Sequence, residues 1–349
     1  MNPFHVALTA DFFEDDDRPK FDDMGLSLFD GAAHIDYVKF DEHRPLIAPD
    51  QFGNAHGVIV LTPKVTVDTV ASADNLLAVG RFGVGYDTVD VPACTAADVV
   101  AYITAGAVDR PVAEATVGWM IALSHHMLIK DRIVRNGNWH DRANHMGAEL
   151  RDRTFGAVGF GGIARATVGL LKTFTMNPPM AFDPYLDESV AAVHGVRLVT
   201  LDELLAEADF VSLHCPFTDE TRNLIGAREL GLMKRDAWLL NMARGGIVDE
   251  DALYDVLSAG RIAGAALDCF IDEPLTAPHR LSELDNVIMA PHSIAWTGEM
   301  FRDVGTAVCQ GMVDLSHGKR PHGVVNPQVF DKPSFIGKWS RLIGQEVSA

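Results

Sequence analysis

Thr154-Phe155-Gly156-Ala157-Val158-Gly159-Phe160-Gly161-Gly162-Ile163-Ala164 is the stretch that decides how this chain folds. Its first half is short, apolar and closed by a turn residue, the pattern of a buried strand. Its last residue opens Arg165-Ala166-Thr167-Val168-Gly169-Leu170-Leu171, whose apolar spacing is helical. Between them stands a Gly-x-Gly-x-x-Ala turn, a weak sign when it stands alone. Here a strand precedes it, a helix follows, and Asp183 closes the next apolar run 183 − 161 = 22 residues later, against about 20 in a dinucleotide-binding βαβ unit. Gly159 permits the tight turn and Gly161 lets the backbone approach a pyrophosphate. Gly162 and Ile163 stand at a helix start whose N–H groups suit that anion. Asp183 would accept hydrogen bonds from the ribose hydroxyls and repel a 2′-phosphate, which favours NAD over NADP. Arg165 is expected to supply the positive charge that Gly162 lacks.

Working outward, the same strand signature recurs. In the first third, runs at 5–12, 34–40, 57–62, 76–82 and 99–104 are apolar, rich in Val or Ile, and bounded by turn residues. After the central motif come 180–184, 208–216, 237–244, 264–270 and 286–293, most of them separated by helical stretches. Connections too long for hairpins imply parallel sheets, so the expected class is α/β with two Rossmann-like doubly wound domains. From Asp109 a helical pattern with Pro111 near its start runs for about seven turns, judged by its 3.6-residue period. A polar arm, Asn136 to Leu150, follows it, and a last amphipathic helix begins at Glu299. The expected division puts a cofactor domain at 105–298 inside a second domain made of 1–104 and 299–349.

The bulk numbers narrow the function. With 29 Lys and Arg against 48 Asp and Glu, the net charge of −19 argues against nucleic acid or an anionic membrane as partner. Any anionic ligand must therefore be met by positive charge in a local cleft. The 4 cysteines, at 94, 215, 269 and 309, have neither paired nor metal-binding spacing, so free thiols in a reducing compartment are expected, with no structural metal. No basic segment leading into an apolar run opens the chain, and the cytoplasm is the expected location.

Three later segments carry chemistry at strand ends, where open α/β sheets bind ligands. Asn241-Met242-Ala243-Arg244-Gly245-Gly246 places an arginine there. Asp268-Cys269-Phe270-Ile271-Asp272-Glu273-Pro274 places a carboxylate, and Ala290-Pro291-His292-Ser293 a histidine. Each is ordinary by itself. Together with Gly83-Val84-Gly85-Tyr86-Asp87, the Arg110–Glu114 helix start, Gly137-Asn138-Trp139 and the late Val324-Val325-Asn326-Pro327, they make the chain resemble the D-isomer-specific 2-hydroxyacid dehydrogenases over nearly its whole length.

The resemblance implies a hydride exchanged between NAD(H) and a small 2-oxo or 2-hydroxy acid, and a homodimer joined through the long helix and the polar arm. It implies that Arg244 binds the substrate carboxylate and polarises the 2-oxo group, as a planar bidentate fork can. His292 exchanges the proton on the carbonyl oxygen, and Glu273 orients that imidazole and raises its pKa. The Gly83–Tyr86 loop, chiefly Val84 and Gly85, holds the carboxylate through backbone N–H groups. Cys215, Met242, Ala243, Arg244, Asp268 and His292 are expected beside the cofactor.

Some residues depart from the family pattern. Trp296 stands where the family often has a small, Gly-containing run, and is expected to shape the substrate pocket. Leu61-Thr62 stand where phosphoglycerate dehydrogenases typically carry an arginine, so an unphosphorylated acid such as glyoxylate or hydroxypyruvate is expected. The alternatives are a phosphite or phosphoglycerate dehydrogenase, or an NADH-responsive corepressor-type binding protein that keeps the same residues.

Overall fold

The computed structural model describes residues 2–347. The chain divides into two compact units. One comprises the residues up to Val108 together with those from Trp296 onward, and the other is Asp109–Ala295.

In the first unit, β1 (Phe4–Leu8), β2 (Ile35–Lys39), β3 (Gly57–Val60), β4 (Ala78–Arg81) and β5 (Val100–Ile103) form a parallel sheet ordered β2-β1-β3-β4-β5. β3 is buried throughout, whereas β2 at the edge exposes Tyr37 and Val38. The late segment returns to this sheet through Asn326, which is fully buried. Its Oδ1 accepts the Ala101 N–H at 2.8 Å, while Nδ2 donates to Thr95 Oγ1 and the Val99 carbonyl. Every polar atom of that amide is satisfied, as burial demands.

The second unit holds seven parallel strands: β6 (Phe155–Val158), β7 (Met180–Phe182), β8 (Arg197–Leu198), β9 (Phe210–Leu213), β10 (Trp238–Asn241), β11 (Gly264–Leu267) and β12 (Val287–Met289). Their order is β12-β11-β10-β9-β6-β7-β8. The chain winds one way from β6 and the other way from β9, which makes the β6/β9 boundary the topological switch point. Alternate residues serve opposite faces, and both faces are covered. Val211, Leu239 and Leu267 enter one core, while Phe210, Leu240 and Ala266 enter the other with Trp119, Met120 and Phe160. Both sides being apolar is why these strands read as unbroken hydrophobic runs. Phe210 and Trp238, partners in register, stack with centroids 4.8 Å apart.

Two expectations need correction. The helix expected from Asp109 to the polar arm is two helices, Asp109–Ser124 and Met127–Arg135. His126 between them has φ 53°, and the Ser124 carbonyl accepts the N–H of Ala148 at 2.7 Å, so the returning arm caps the first helix where a further turn would have run. His125 and His126 thus mark the break between the two helices. β8 was not expected either: it is two residues long, too short for periodicity to reveal. The other strands form within the expected runs, save that β1 begins one residue earlier, at Phe4, and β7 begins at Met180, just past Pro178-Pro179, which cannot donate to a ladder.

Candidate active site

Register pairing aligns the strand ends of the second sheet in one row. Phe182 pairs Val158, Val158 pairs Leu213, Leu213 pairs Asn241, Asn241 pairs Leu267, and Leu267 pairs Met289. The segments that follow carry Asp183, Gly159, Cys215, Met242–Arg244, Asp268 and His292. The sheet therefore delivers all of them to its carboxyl edge.

At the switch point Gly159 adopts φ +87°, and a Cβ there would fall 2.7 Å from the Cys215 backbone nitrogen. Only glycine satisfies both constraints. Gly161 has open space where a Cβ would stand, and as N-cap of the helix Gly162–Leu171 it offers no side-chain cap. The first N–H groups of that helix are thus left to an anion. Asp183 closes the turn: its carboxylate accepts the Phe160 N–H at 2.9 Å and the Tyr185 N–H at 3.0 Å. A carboxylate has further lone pairs, which ribose hydroxyls can use. These residues fit a dinucleotide.

Two features of the loop were not foreseen. The Arg165 guanidinium donates to the Phe160 carbonyl at 3.1 Å. A Cβ on Gly162 would lie 1.9 Å from Asp109 Oδ2, so glycine makes room for a carboxylate at the helix start. Burial pushes the Asp109 carboxyl up, and Arg165 opposes this only in part.

Arg244 follows β10 in a turn held by Asn241, a buried residue that sequence reading missed as a functional element. Asn241 Oδ1 accepts the Ala243 N–H at 3.1 Å and its Nδ2 donates to the Arg244 carbonyl at 2.9 Å. A lone amide ending an all-apolar strand was the available signal. Arg244 Nη1 donates to the Ala243 carbonyl at 2.7 Å. Gly245 packs so closely on the next loop that a Cβ would sit 1.9 Å from the Phe270 carbonyl oxygen.

That next loop presents Glu273. Its Oε1 accepts the Phe270 N–H at 2.8 Å, and its Oε2 accepts from His292 Nδ1 at 2.7 Å. Burial alone would raise the Glu273 carboxyl. The His292 and Phe270 hydrogen bonds and the positive charge of Arg244 outweigh it and hold the group below its ordinary value. The bond to Oε2 assigns the Nδ1 proton to His292. His292 itself has φ 53°, a conformation rare outside glycine. Asp268 secures the residues after it: its buried carboxylate accepts the N–H groups of Ser293 at 2.9 Å and Ile294 at 3.2 Å. Burial raises the Asp268 carboxyl despite these donors.

The other expected residues are placed as follows. Met242 is buried, its sulfur accepting from Thr116 Oγ1 at 3.8 Å, which packs it on the helix Asp109–Ser124. Cys215 is half-buried beside the glycine turn, and burial pushes its thiol up to about 11, so it is no ready nucleophile. In the first unit, Val84 and Gly85 are half-buried after β4, in a loop whose Gly83 has φ +129°. The ends of β1 and β3 border a cavity of about 770 Å³ in that unit. Its lining includes Asp11, Glu14, Asp17, Asp41, Thr62 and Trp296. Trp296 meets Phe21 and Phe301 edge-on, with centroids 5.8 and 5.2 Å away.

Residues 117–293 match the family model described as D-isomer specific 2-hydroxyacid dehydrogenase, NAD binding domain. The chain is 40% identical over 264 residues to a D-3-phosphoglycerate dehydrogenase of Methanocaldococcus jannaschii, covering 75% of this chain and 50% of that protein. The chain thus spans about half the length of the phosphoglycerate dehydrogenase relatives it matches. It is 36% identical over 274 residues to a glyoxylate reductase of Thermofilum pendens, covering 77% of this chain and 80% of that one. Among solved structures, the TT0316 protein from Thermus thermophilus superposes with a TM-score of 0.78 at 26% identity, over 92% of this chain and all of that one. The chain belongs to the D-isomer specific 2-hydroxyacid dehydrogenase family and carries that family's NAD-binding domain.

Proposed function

We propose that the chain reduces small, unphosphorylated 2-oxo acids to D-2-hydroxy acids, and runs the reverse oxidation, with Arg244, Glu273 and His292 as its working residues. The observation that carries this reading is the 2.7 Å bond between His292 Nδ1 and Glu273 Oε2, on loops next to the arginine turn. NAD supplies or takes up the hydride when bound. Arg244 pairs with the substrate carboxylate. The Glu273 carboxylate orients the imidazole and stabilises its protonated form, so that His292 Nε2 gives a proton to the carbonyl oxygen during reduction and removes it from the hydroxyl during oxidation. Val84 and Gly85 contribute backbone N–H groups to the carboxylate, and Cys215, Met242, Ala243 and Asp268 border or brace the nicotinamide end.

The preference for unphosphorylated acids is supported by the residues after β3. The Thr62 N–H donates to Asp11 Oδ2 at 2.9 Å, so the strand end carries a carboxylate where a distal phosphate would need a cation. Acidic residues outnumber basic ones around the adjoining cavity. Asp183 supports NAD over NADP. Measuring NADH and NADPH oxidation with glyoxylate, hydroxypyruvate, pyruvate, longer 2-oxo acids and 3-phosphohydroxypyruvate tests the whole reading. A best substrate bearing phosphate, or equal use of both cofactors, would count against it.

The assembly we infer is a homodimer built on the helix Met127–Arg135 and the arm after it. Support comes from apolar residues left open there: Val134 is 61% exposed, Trp139 58% and Met146 79%. Four cysteines that form no disulfide among the described residues support a reducing location such as the cytoplasm. Among the described residues, no helix is long and apolar enough to cross a membrane.

A further inference from the structure

Cys269 takes no part in proton transfer, yet its sulfur belongs to the same constellation. Cys269 Sγ, a Glu273 carboxylate oxygen and a His292 ring nitrogen all lie within 4.8 Å of one another. The sulfur forms a buried floor, its thiol donating to the Ala243 carbonyl at 3.5 Å. Arg244 Nη1 donates to the same carbonyl at 2.7 Å, which brings positive charge near any thiolate formed there. The Glu273 and His292 side chains, 34% and 43% exposed, form a mouth through which an ion can enter.

Thiolate, imidazole and carboxylate together make a donor set that suits zinc. Tetrahedral zinc, with bonds of about 2.3 Å to sulfur and about 2.1 Å to nitrogen and oxygen, spaces its donors roughly 3.4–3.6 Å apart. The His292–Glu273 pair at 2.7 Å must open by a fraction of an ångström and the sulfur must draw in. Side-chain rotation supplies both movements, while Glu273 Oε1 keeps the Phe270 N–H.

We propose that Zn²⁺ binds reversibly at Cys269, Glu273 and His292 and switches the chain off by occupying the proton relay. It is an inhibitory site, distinct from the hydride chemistry. On binding, the thiol loses its proton to solvent. The His292 Nδ1 proton passes to Nε2 by way of water, or is lost if the ring was charged, and no oxidation state changes. The Glu273–His292 hydrogen bond is replaced by two bonds to the metal. The inhibition rests on the relay proposed above, whereas the binding does not.

The test uses the full chain, freed of metal by a chelator and then titrated with Co²⁺ and with Zn²⁺. Co²⁺ should give a thiolate-to-metal charge-transfer band that saturates at one equivalent, disappears in Cys269→Ser and persists in Cys215→Ser. Zn²⁺ should lower NADH-dependent turnover at least tenfold in the parent and leave Cys269→Ser active. Cys269→Val provides the same contrast should the serine variant misfold, as judged by circular dichroism. The absence of a band, or a band indifferent to Cys269, overturns the site whatever the turnover. A band that tracks Cys269 in a chain unable to reduce any 2-oxo acid leaves the metal site standing and removes the functional reading instead. Unchanged turnover in zinc-loaded parent enzyme overturns the switch.

Discussion

Glu273 accepts a hydrogen bond from His292 Nδ1 at 2.7 Å while its other oxygen accepts the Phe270 N–H at 2.8 Å. One carboxylate thereby joins the loop after β11 to the loop after β12 and fixes which ring nitrogen of His292 carries a proton. The Glu273 carboxyl is held low by the two hydrogen bonds and Arg244, in spite of burial. Its contribution to stability is therefore complete above the ordinary glutamate range and is lost as pH falls through the depressed folded value.

Loop contact gives the first prediction. A Cβ on Gly245 would meet the Phe270 carbonyl at 1.9 Å. Gly245→Ala must push apart the loops that carry Arg244 and Glu273. We expect a loss of about 1–3 kcal/mol in the unfolding of this unit, followed by urea titration, together with a fall in kcat. A variant as stable and as active as the parent would mean that these loops are not in fixed contact.

Arg244→Lys keeps the positive charge and loses the bidentate fork. The expected result is a fall in kcat/KM of at least about tenfold, or about 1.4 kcal/mol, with NADH affinity much less affected. Steady-state kinetics with the best 2-oxo acid measures it, and near-parental values would dissociate Arg244 from the substrate carboxylate.

Asp109 stands against Gly162 at the start of the helix that a pyrophosphate would approach. Its carboxyl is raised by burial, so it is more easily neutralised than an exposed aspartate. Protonation removes a negative charge, and NAD affinity should therefore rise as pH falls through the Asp109 value. Asp109→Asn makes that change permanent and should tighten NAD at neutral pH by about 2–5-fold, the scale of a charge at a helix terminus. Calorimetric titration across pH reads both effects. Weaker binding by the variant would show that the carboxylate supports the loop more than it repels the ligand.

Much of this architecture was legible because both faces of the second sheet are buried, which makes its strands plain apolar runs with punctuated ends. The glycine turn was legible for a related reason: φ +87° at Gly159 and a 2.7 Å approach to Cys215 leave one residue type that fits. Residues whose work depends on distant partners were not legible. Asp109 meets Gly162 from the far end of the helix Asp109–Ser124, and Asp268 holds the Ile294 N–H 26 positions on, a bracing role that its expected place beside the cofactor did not reveal. The break at His126 was hidden likewise, since the Ala148 N–H that caps Ser124 comes from beyond the second helix.

The proton relay is tested most directly by the pH dependence of Glu273→Gln in both directions. Losing the negative charge removes the carboxylate that stabilises the His292 imidazolium. Reduction needs the imidazolium, so its rate should begin to fall at a lower pH than in the parent. Oxidation needs the neutral ring, so its rising limb should also move to lower pH, with NADH affinity nearly constant. Both limbs shifting together toward acid is the predicted result. Profiles that superpose on the parent's in both directions, with hydride transfer shown to limit the rate by a deuterium isotope effect, would contradict the relay.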